Sequence, residues 1–154
     1  MRQKIIFLTL VTICYLSTSV KAQDALALNK EYVGAQPTLS VYRVIYQLDS
    51  GSPELIKKAI RNINNLLNDP RLQGKLEVEL VAFSGGTEAF KRNSEYEGAI
   101  KKLVNQGVKV AQCLNTLKER RIDKSELYDF LAFVPTGNGE LVIRSQQGWT
   151  IIKP

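Results

Sequence analysis

Histidine is absent from all 154 residues. That absence excludes Ser-His-Asp and Cys-His catalysis, the histidine-based zinc motifs and any imidazole proton shuttle. Cysteine is nearly absent, Cys14 and Cys113 being the only two. The sequence has no dinucleotide-binding fingerprint, no P-loop, no metal-ligand cluster, no internal repeat and no low-complexity tract. A strong charge of one sign is missing as well. The formal net charge is +6 and falls to near +3 without residues 1–22, too mild to imply a nucleic-acid partner by itself.

The one long hydrophobic run lies at the start. Arg2 and Lys4 precede residues 5–16 (IIFLTLVTICYL), and STSVKA follows, with Val20 and Ala22 at small-residue positions. This is the pattern of a secretory signal peptide, residues 1–22, with cleavage after Ala22. The run is short for an uncleaved anchor, which needs roughly 20 apolar residues. Bulky Ile13 before Cys14 argues against lipid attachment there. The expected product is exported, periplasmic or secreted, and carries no membrane segment after cleavage. Three of the 21 basic residues (Arg2, Lys4, Lys21) and none of the 15 acidic ones leave with this segment, so the excess falls to near +3. Cys113 then stands alone. No intramolecular disulfide can form, although the exported compartment would permit one. A lone cysteine of this kind is either a reactive thiol or a partner in an intermolecular pair, or it packs as a small hydrophobe.

Residues 23–39 show no clear period and read as an N-terminal arm or linker. From residue 40 onward strands and helices alternate. Residues 40–48 (SVYRVIYQL) suit a strand. Ser52 and Pro53 mark a helix start, and Leu55, Ile56, Ala59, Ile60, Ile63, Leu66 and Leu67 form one helical stripe ended by Asn68-Asp69-Pro70. Residues 76–83 (LEVELVAF) make a second strand, and a short helical turn runs through Phe90. Ser94 with Glu97 reads as a capping box for a helix that Gly107 stops. Residues 108–112 form a third strand, followed by a short helix to Arg120 capped by Asn115 or Thr116. Asp123 and Glu126 form another capping pair. Residues 131–134 are a fourth strand, 135–139 a loop, 140–147 a helix stopped by Gly148, and 149–152 a last strand. The remaining 130 or so residues suit one domain. The alternation predicts an α/β fold: a three-layer α/β/α sandwich around a mostly parallel sheet of about five strands. The order of the strands is not legible.

In such sheets ligands bind beyond the carboxyl ends of the strands. The loops expected there are 49–52, 84–87, 113–115 and 136–139. They nominate Cys113 as the reacting group, with Asp49, Ser84, Gly85, Gly86, Asn115, Thr116, Gly137 and Asn138 as pocket residues. Cys113 would stand between a strand and a helix N-terminus, where free N–H groups favour thiolate over thiol. The pattern also allows a cysteine that fills the inner face of the strand. Ser84-Gly85-Gly86-Thr87 and Thr136–Gly139 can cradle an anion or simply turn the chain. Asp49 can hold a ligand hydroxyl or satisfy turn N–H groups. Lys118, Arg120 and Arg121 fall at the far end of the short helix, where cations suit the helix dipole.

Four stretches carry a likeness to known proteins: "GVKVAQCLNTLKERRID", "YQLDSGSPELIKKAI", "VAFSGGTEAF" and "FVPTGNGELVIRSQQGW". Over residues 40–154 the chain resembles the DsrE/DsrF-like family, which includes bacterial sulfur-relay subunits. The resemblance implies that Cys113 accepts a persulfide and passes its terminal sulfur on, with no cofactor and no metal. It also implies a homo-oligomer, trimer or hexamer, and sulfur donors and acceptors that are proteins or small thiols. The export signal departs from the relay proteins, which work in the cytoplasm, and points to sulfur or thiol handling in the cell envelope instead of transfer to tRNA. The alternative reading is a non-catalytic anion-binding or interaction module in which Cys113 is structural.

Overall fold

The computed structural model describes residues 21–154. The chain divides into two units after residue 36. The expected leader lies outside the described residues except for its last two positions, which fall within α1 (Lys21–Glu31). This helix occupies the first part of the stretch read as an N-terminal arm, residues 23–39. Its sequence, KAQDALALNKE, has Asp24 in the first turn and Lys30 in the last. Alanine, leucine and lysine favour helix intrinsically and the end charges suit its dipole, so α1 forms without an amphipathic period. Leu26 and Leu28 are exposed. No helix among the described residues is long and apolar enough to cross a membrane.

The second unit runs β1 (Tyr42–Leu48), α2 (Pro53–Leu67), β2 (Leu76–Ala82), a 3-10 helix (Ser84–Phe90), α3 (Glu97–Asn105), β3 (Lys109–Cys113), α4 (Leu114–Arg120), a 3-10 turn (Lys124–Glu126), β4 (Ala132–Val134), α5 (Gly137–Gln146) and β5 (Thr150–Ile152). The five strands form one sheet in the order β4-β3-β2-β1-β5, and every pairing is parallel. Alternation along each strand sends residues to opposite faces. Val44, Tyr46, Leu48, Val78, Leu80 and Ala82 meet Ile56, Ile63, Ile100, Leu103 and Leu117 from α2, α3 and α4 in the main core. Ile45 and Val81 face the other way and meet Leu141 of α5 and Trp149. Each fully buried aliphatic side chain contributes about 1.5–3 kcal/mol. The result is the expected three-layer α/β/α sandwich.

The second face also holds a charged contact. Glu79, 2% exposed on β2, accepts hydrogen bonds from Nε and Nη2 of Arg144 at 2.8 and 2.7 Å. Glu140 lies 3.0 Å from the same guanidinium, which also covers the Trp149 ring. Burial pushes the Glu79 carboxyl up while Arg144 pulls it down. The pair ties α5 to the centre of the sheet.

Three helix starts differ from expectation. Ser94 does not cap α3: Tyr96 holds the N-cap position with no side-chain bond. The Ser94 hydroxyl is engaged by the Ala89 carbonyl and by Tyr128 Oη. Helix α5 begins at Gly137, three residues earlier than the apolar pattern suggests, because Thr136 Oγ1 accepts the Gly139 N–H at 3.1 Å. Helix α4 is capped neither by Asn115 nor by Thr116 but by Cys113 itself. The Asp123–Glu126 capping box is present.

Candidate functional site

Strand order places the site. The chain leaves β3 toward the layer of α4 and leaves its neighbour β4 toward the layer of α5. Connections that part to opposite faces open a crevice between adjacent strand ends, the usual ligand position in open α/β sheets. Cys113 pairs with Val134 at that point. A cavity of about 530 Å³ opens there, and its wall includes Cys113, Ser84, Asn115, Thr116, Gly137 and Asn138. The structure thus brings six of the nominated residues together. Phe83, Glu119, Arg120 and Thr136 complete the lining.

Asp49, Gly85 and Gly86 are not part of this wall. Asp49 accepts from Lys153 Nζ at 2.7 Å and Gln47 Nε2 at 3.0 Å. Burial alone would raise its carboxyl, but these two partners hold it below the usual range. Gly85 and Gly86 press against the end of β1. A Cβ on Gly85 would stand 2.7 Å from the Gly51 nitrogen, and one on Gly86 2.0 Å from the Leu48 oxygen. The Gly86 N–H donates to the Phe83 carbonyl at 2.9 Å. These glycines permit close backbone approach.

Cys113 is the free cysteine of the described residues and is 4% exposed. Its Sγ accepts the Thr116 N–H at 3.4 Å. Burial pushes the thiol up; the Thr116 side chain and the backbone N–H groups of Thr116, Gly137 and Asn115 outweigh it and hold the thiol below its ordinary value. The donors come from the first turns of two helices, α4 and α5. Gly137 can approach because it lacks a Cβ, which would meet the Phe83 ring at 2.3 Å. The Asn115 N–H is shared with the Pro135 carbonyl at 3.2 Å, and its side-chain amide donates to Glu119 at 2.7 Å.

Thr116 is the pivotal neighbour. Its Oγ1 accepts the Ser84 N–H at 3.0 Å, and the same side chain helps to lower the Cys113 thiol pKa. Ser84 reaches this position with φ 51°, a left-handed conformation uncommon outside glycine. Replacing Thr116 by valine keeps the shape and removes both bonds. Thr116→Val is expected to raise the Cys113 pKa and, by orphaning a partly buried N–H, to lower stability by about 1–3 kcal/mol. Thiol titration and urea unfolding measure the two effects.

Beneath the site, Gln112 is wholly buried. Its Nε2 donates to Thr87 Oγ1 and to the Cys113 carbonyl, both at 3.0 Å. This fixes the end of β3 against the 3-10 helix. Arg120 and Glu119, given no pocket role by the sequence reading, follow Thr116 and Asn115 by four residues each. That i, i+4 spacing puts each pair on one helix face, and it was the available signal.

Among the described residues no group of three histidine, cysteine or acidic side chains could hold a metal ion. The sulfur is recessed at the wall of an open cavity, and the surrounding donors favour its thiolate form over what burial alone would allow.

Comparison with known proteins agrees with this architecture. A structure of a protein of unknown function from Methanobacterium thermoautotrophicum is 34% identical, superposes with a TM-score of 0.69, and is matched over 73% of this chain and 99% of its own. A protein of unknown function from Bacteroides thetaiotaomicron, 10% identical, shares the fold with a TM-score of 0.53 over 73% of this chain and 94% of its own. No curated protein matches the chain. The model of the DsrE/DsrF-like family matches residues 47–154, which span the cavity, its cysteine, strands β2 to β5 whole and the last two residues of β1. The chain belongs to the DsrE/DsrF-like family.

Proposed function

We propose that this protein is a thiol-based sulfur carrier that works in the cell envelope after export, with Cys113 as the group that is loaded and unloaded. The observation that carries the reading is the set of donors around Sγ: Thr116, Gly137 and Asn115 aim N–H or O–H groups at one sulfur beside an open cavity. Such a nest favours an anion on sulfur, and the thiolate is the nucleophilic form.

The reaction needs no metal, cofactor or net oxidation. The Cys113 thiolate attacks the outer sulfur of a donor persulfide, R–S–SH. An Sγ–S bond forms as the donor's S–S bond breaks, and that bond's electron pair leaves on the donor as a thiolate, which takes a proton from solvent. The product is the Cys113 persulfide. A thiolate acceptor then attacks the terminal sulfur, and Cys113 leaves as the thiolate the nest stabilises. A low leaving-group pKa speeds this second step. Donors and acceptors are proteins with a projecting thiol or small thiols, since Cys113, 4% exposed, lies out of reach of a flat surface.

Intact-mass spectrometry tests the proposal. Protein treated with cysteine persulfide is expected to gain about 32 Da at Cys113, reversibly by dithiothreitol, and to transfer the label to glutathione. Peptide mapping separates Cys113 from Cys14. Wild-type protein that stays unloaded while a free-thiol control protein loads would refute the reading. Protein recovered from the cell envelope is expected to begin at Gln23, which checks the export part independently.

A further inference from the structure

We propose that Arg120 is a positioning residue for the Cys113 thiolate, acting as a two-pronged clamp on Ser84 and, through it, on Thr116; this rests on the sulfur-carrier reading of the same site. One prong is Nη1, which donates to the Ser84 carbonyl at 2.9 Å. The other is Nη2, which donates to Glu88 Oε1 at 2.5 Å. Glu88 is in turn anchored by Lys91 Nζ at 3.1 Å. Glu88 belongs to the 3-10 helix that starts at Ser84, so the guanidinium spans the loop and the turn that follows it.

The clamp has a specific task. Ser84 stands at φ 51°, where a side chain with a Cβ is strained and the backbone tends to relax. Relaxation would rotate its N–H away from Thr116 Oγ1, which it reaches at 3.0 Å. With that bond in place, Thr116 Oγ1 has one lone pair engaged and its side chain is fixed where it lowers the Cys113 thiol pKa. With it lost, the hydroxyl is free to rotate, and one donor to the thiolate disappears. The crowded glycines cannot make up for this, because Gly85 and Gly86 are already pressed against Gly51 and Leu48. Restraint must come from the other side of the loop, and Arg120 is the side chain that supplies it. Its charge is already matched by Glu88, so its influence on sulfur runs through geometry. The planar fork of arginine suits two acceptors at once, and lysine does not reproduce it.

The test is the pH profile of iodoacetamide labelling at Cys113, read by peptide mapping in the full chain. Arg120→Met is expected to move the profile upward by half to one pH unit, slowing labelling on the rising limb by about three- to tenfold. Arg120→Lys is expected to stay close to Arg120→Met. Glu88→Gln, which loosens only one prong, is expected to move it by less in the same direction. Ser84→Gly added to Arg120→Met is expected to recover most of the shift, because glycine adopts the left-handed conformation without restraint. Circular dichroism confirms that each variant is folded. A profile unchanged in Arg120→Met, with Thr116→Val still shifting it, overturns the clamp and leaves the thiolate reading intact. A shift that Arg120→Lys abolishes, or that Ser84→Gly fails to reverse, assigns the effect to charge and also overturns the clamp. An ordinary thiol profile in the wild type instead means that the carrier reading itself has failed.

Discussion

Cys113→Ser is expected to abolish sulfur loading and transfer, lowering the rate by at least about three orders of magnitude, while the fold is retained. Serine fits the space, and its oxygen can accept the Thr116 N–H that now meets Sγ. Below the native thiol midpoint, stability should change by no more than about 1 kcal/mol. The difference between wild type and variant should depend on pH in a defined sense. The native thiol titrates below its ordinary value, so between the two values the unfolded chain binds more protons than the native one. Wild-type stability relative to Cys113→Ser is therefore expected to rise with pH from the native midpoint up to about 8.5, and to level off above it. On acidification the advantage is lost as pH falls through the native value. Transfer assays and urea unfolding across this range check both parts. A serine variant that still carries sulfur would remove Cys113 from the mechanism.

Gly86→Ala is expected to have the largest effect on stability. An added Cβ would stand 2.0 Å from the Leu48 oxygen and 2.6 Å from its carbonyl carbon. Both belong to the backbone of β1, and that oxygen already accepts the Phe83 N–H at 3.1 Å. Leu48 is 1% exposed, so the strand has no room to withdraw. The expected cost is about 3 kcal/mol or more, which lowers Tm by about 10 °C or more for a domain of this size. Gly98→Ala is the control. Nothing lies within 4 Å of a Cβ at Gly98 in α3, and the substitution is expected to be neutral or to stabilise by up to about 1 kcal/mol. Thermal melts separate the two. Equal melting of Gly86→Ala and wild type would contradict the packing described at the end of β1. Because Gly86 is two residues from Ser84, the variant should also weaken the Ser84–Thr116 bond and slow Cys113 labelling.

The sequence was most informative where local chemistry and tertiary structure agree. The five strands and the helices of the second unit were legible because β-branched runs alternate with stripes at helical spacing, and turn residues punctuate them. Helix α1 was not, since it rests on intrinsic propensity with no apolar stripe. The site was legible as far as the rule that loops gather at the carboxyl edge. That rule placed Cys113, Ser84, Asn115, Thr116, Gly137 and Asn138 at one edge, and they share a cavity. It also named Asp49, Gly85 and Gly86, which lie outside it. The rule could not discriminate, because membership depends on strand order. Strand order is set by which faces pair in three dimensions, and the parting of α4 and α5 between β3 and β4 leaves no mark on a linear pattern. Ser94 misled for a related reason. Its spacing from Glu97 fits a capping box, but Tyr128, 34 residues on, takes its hydroxyl. Cysteine as an N-cap was equally hidden, since Asn115 and Thr116 are the stronger cap formers by type.

The proposed function requires the donors around Cys113 to hold it as a thiolate. The direct measurement is the ultraviolet thiolate absorbance of the native protein against pH, with Cys113→Ser subtracted to remove the contribution of Cys14. A single transition is expected, with its midpoint clearly below about 8.5, moving upward in Thr116→Val. A midpoint at or above the ordinary thiol value, unmoved by that substitution, would contradict the proposed function.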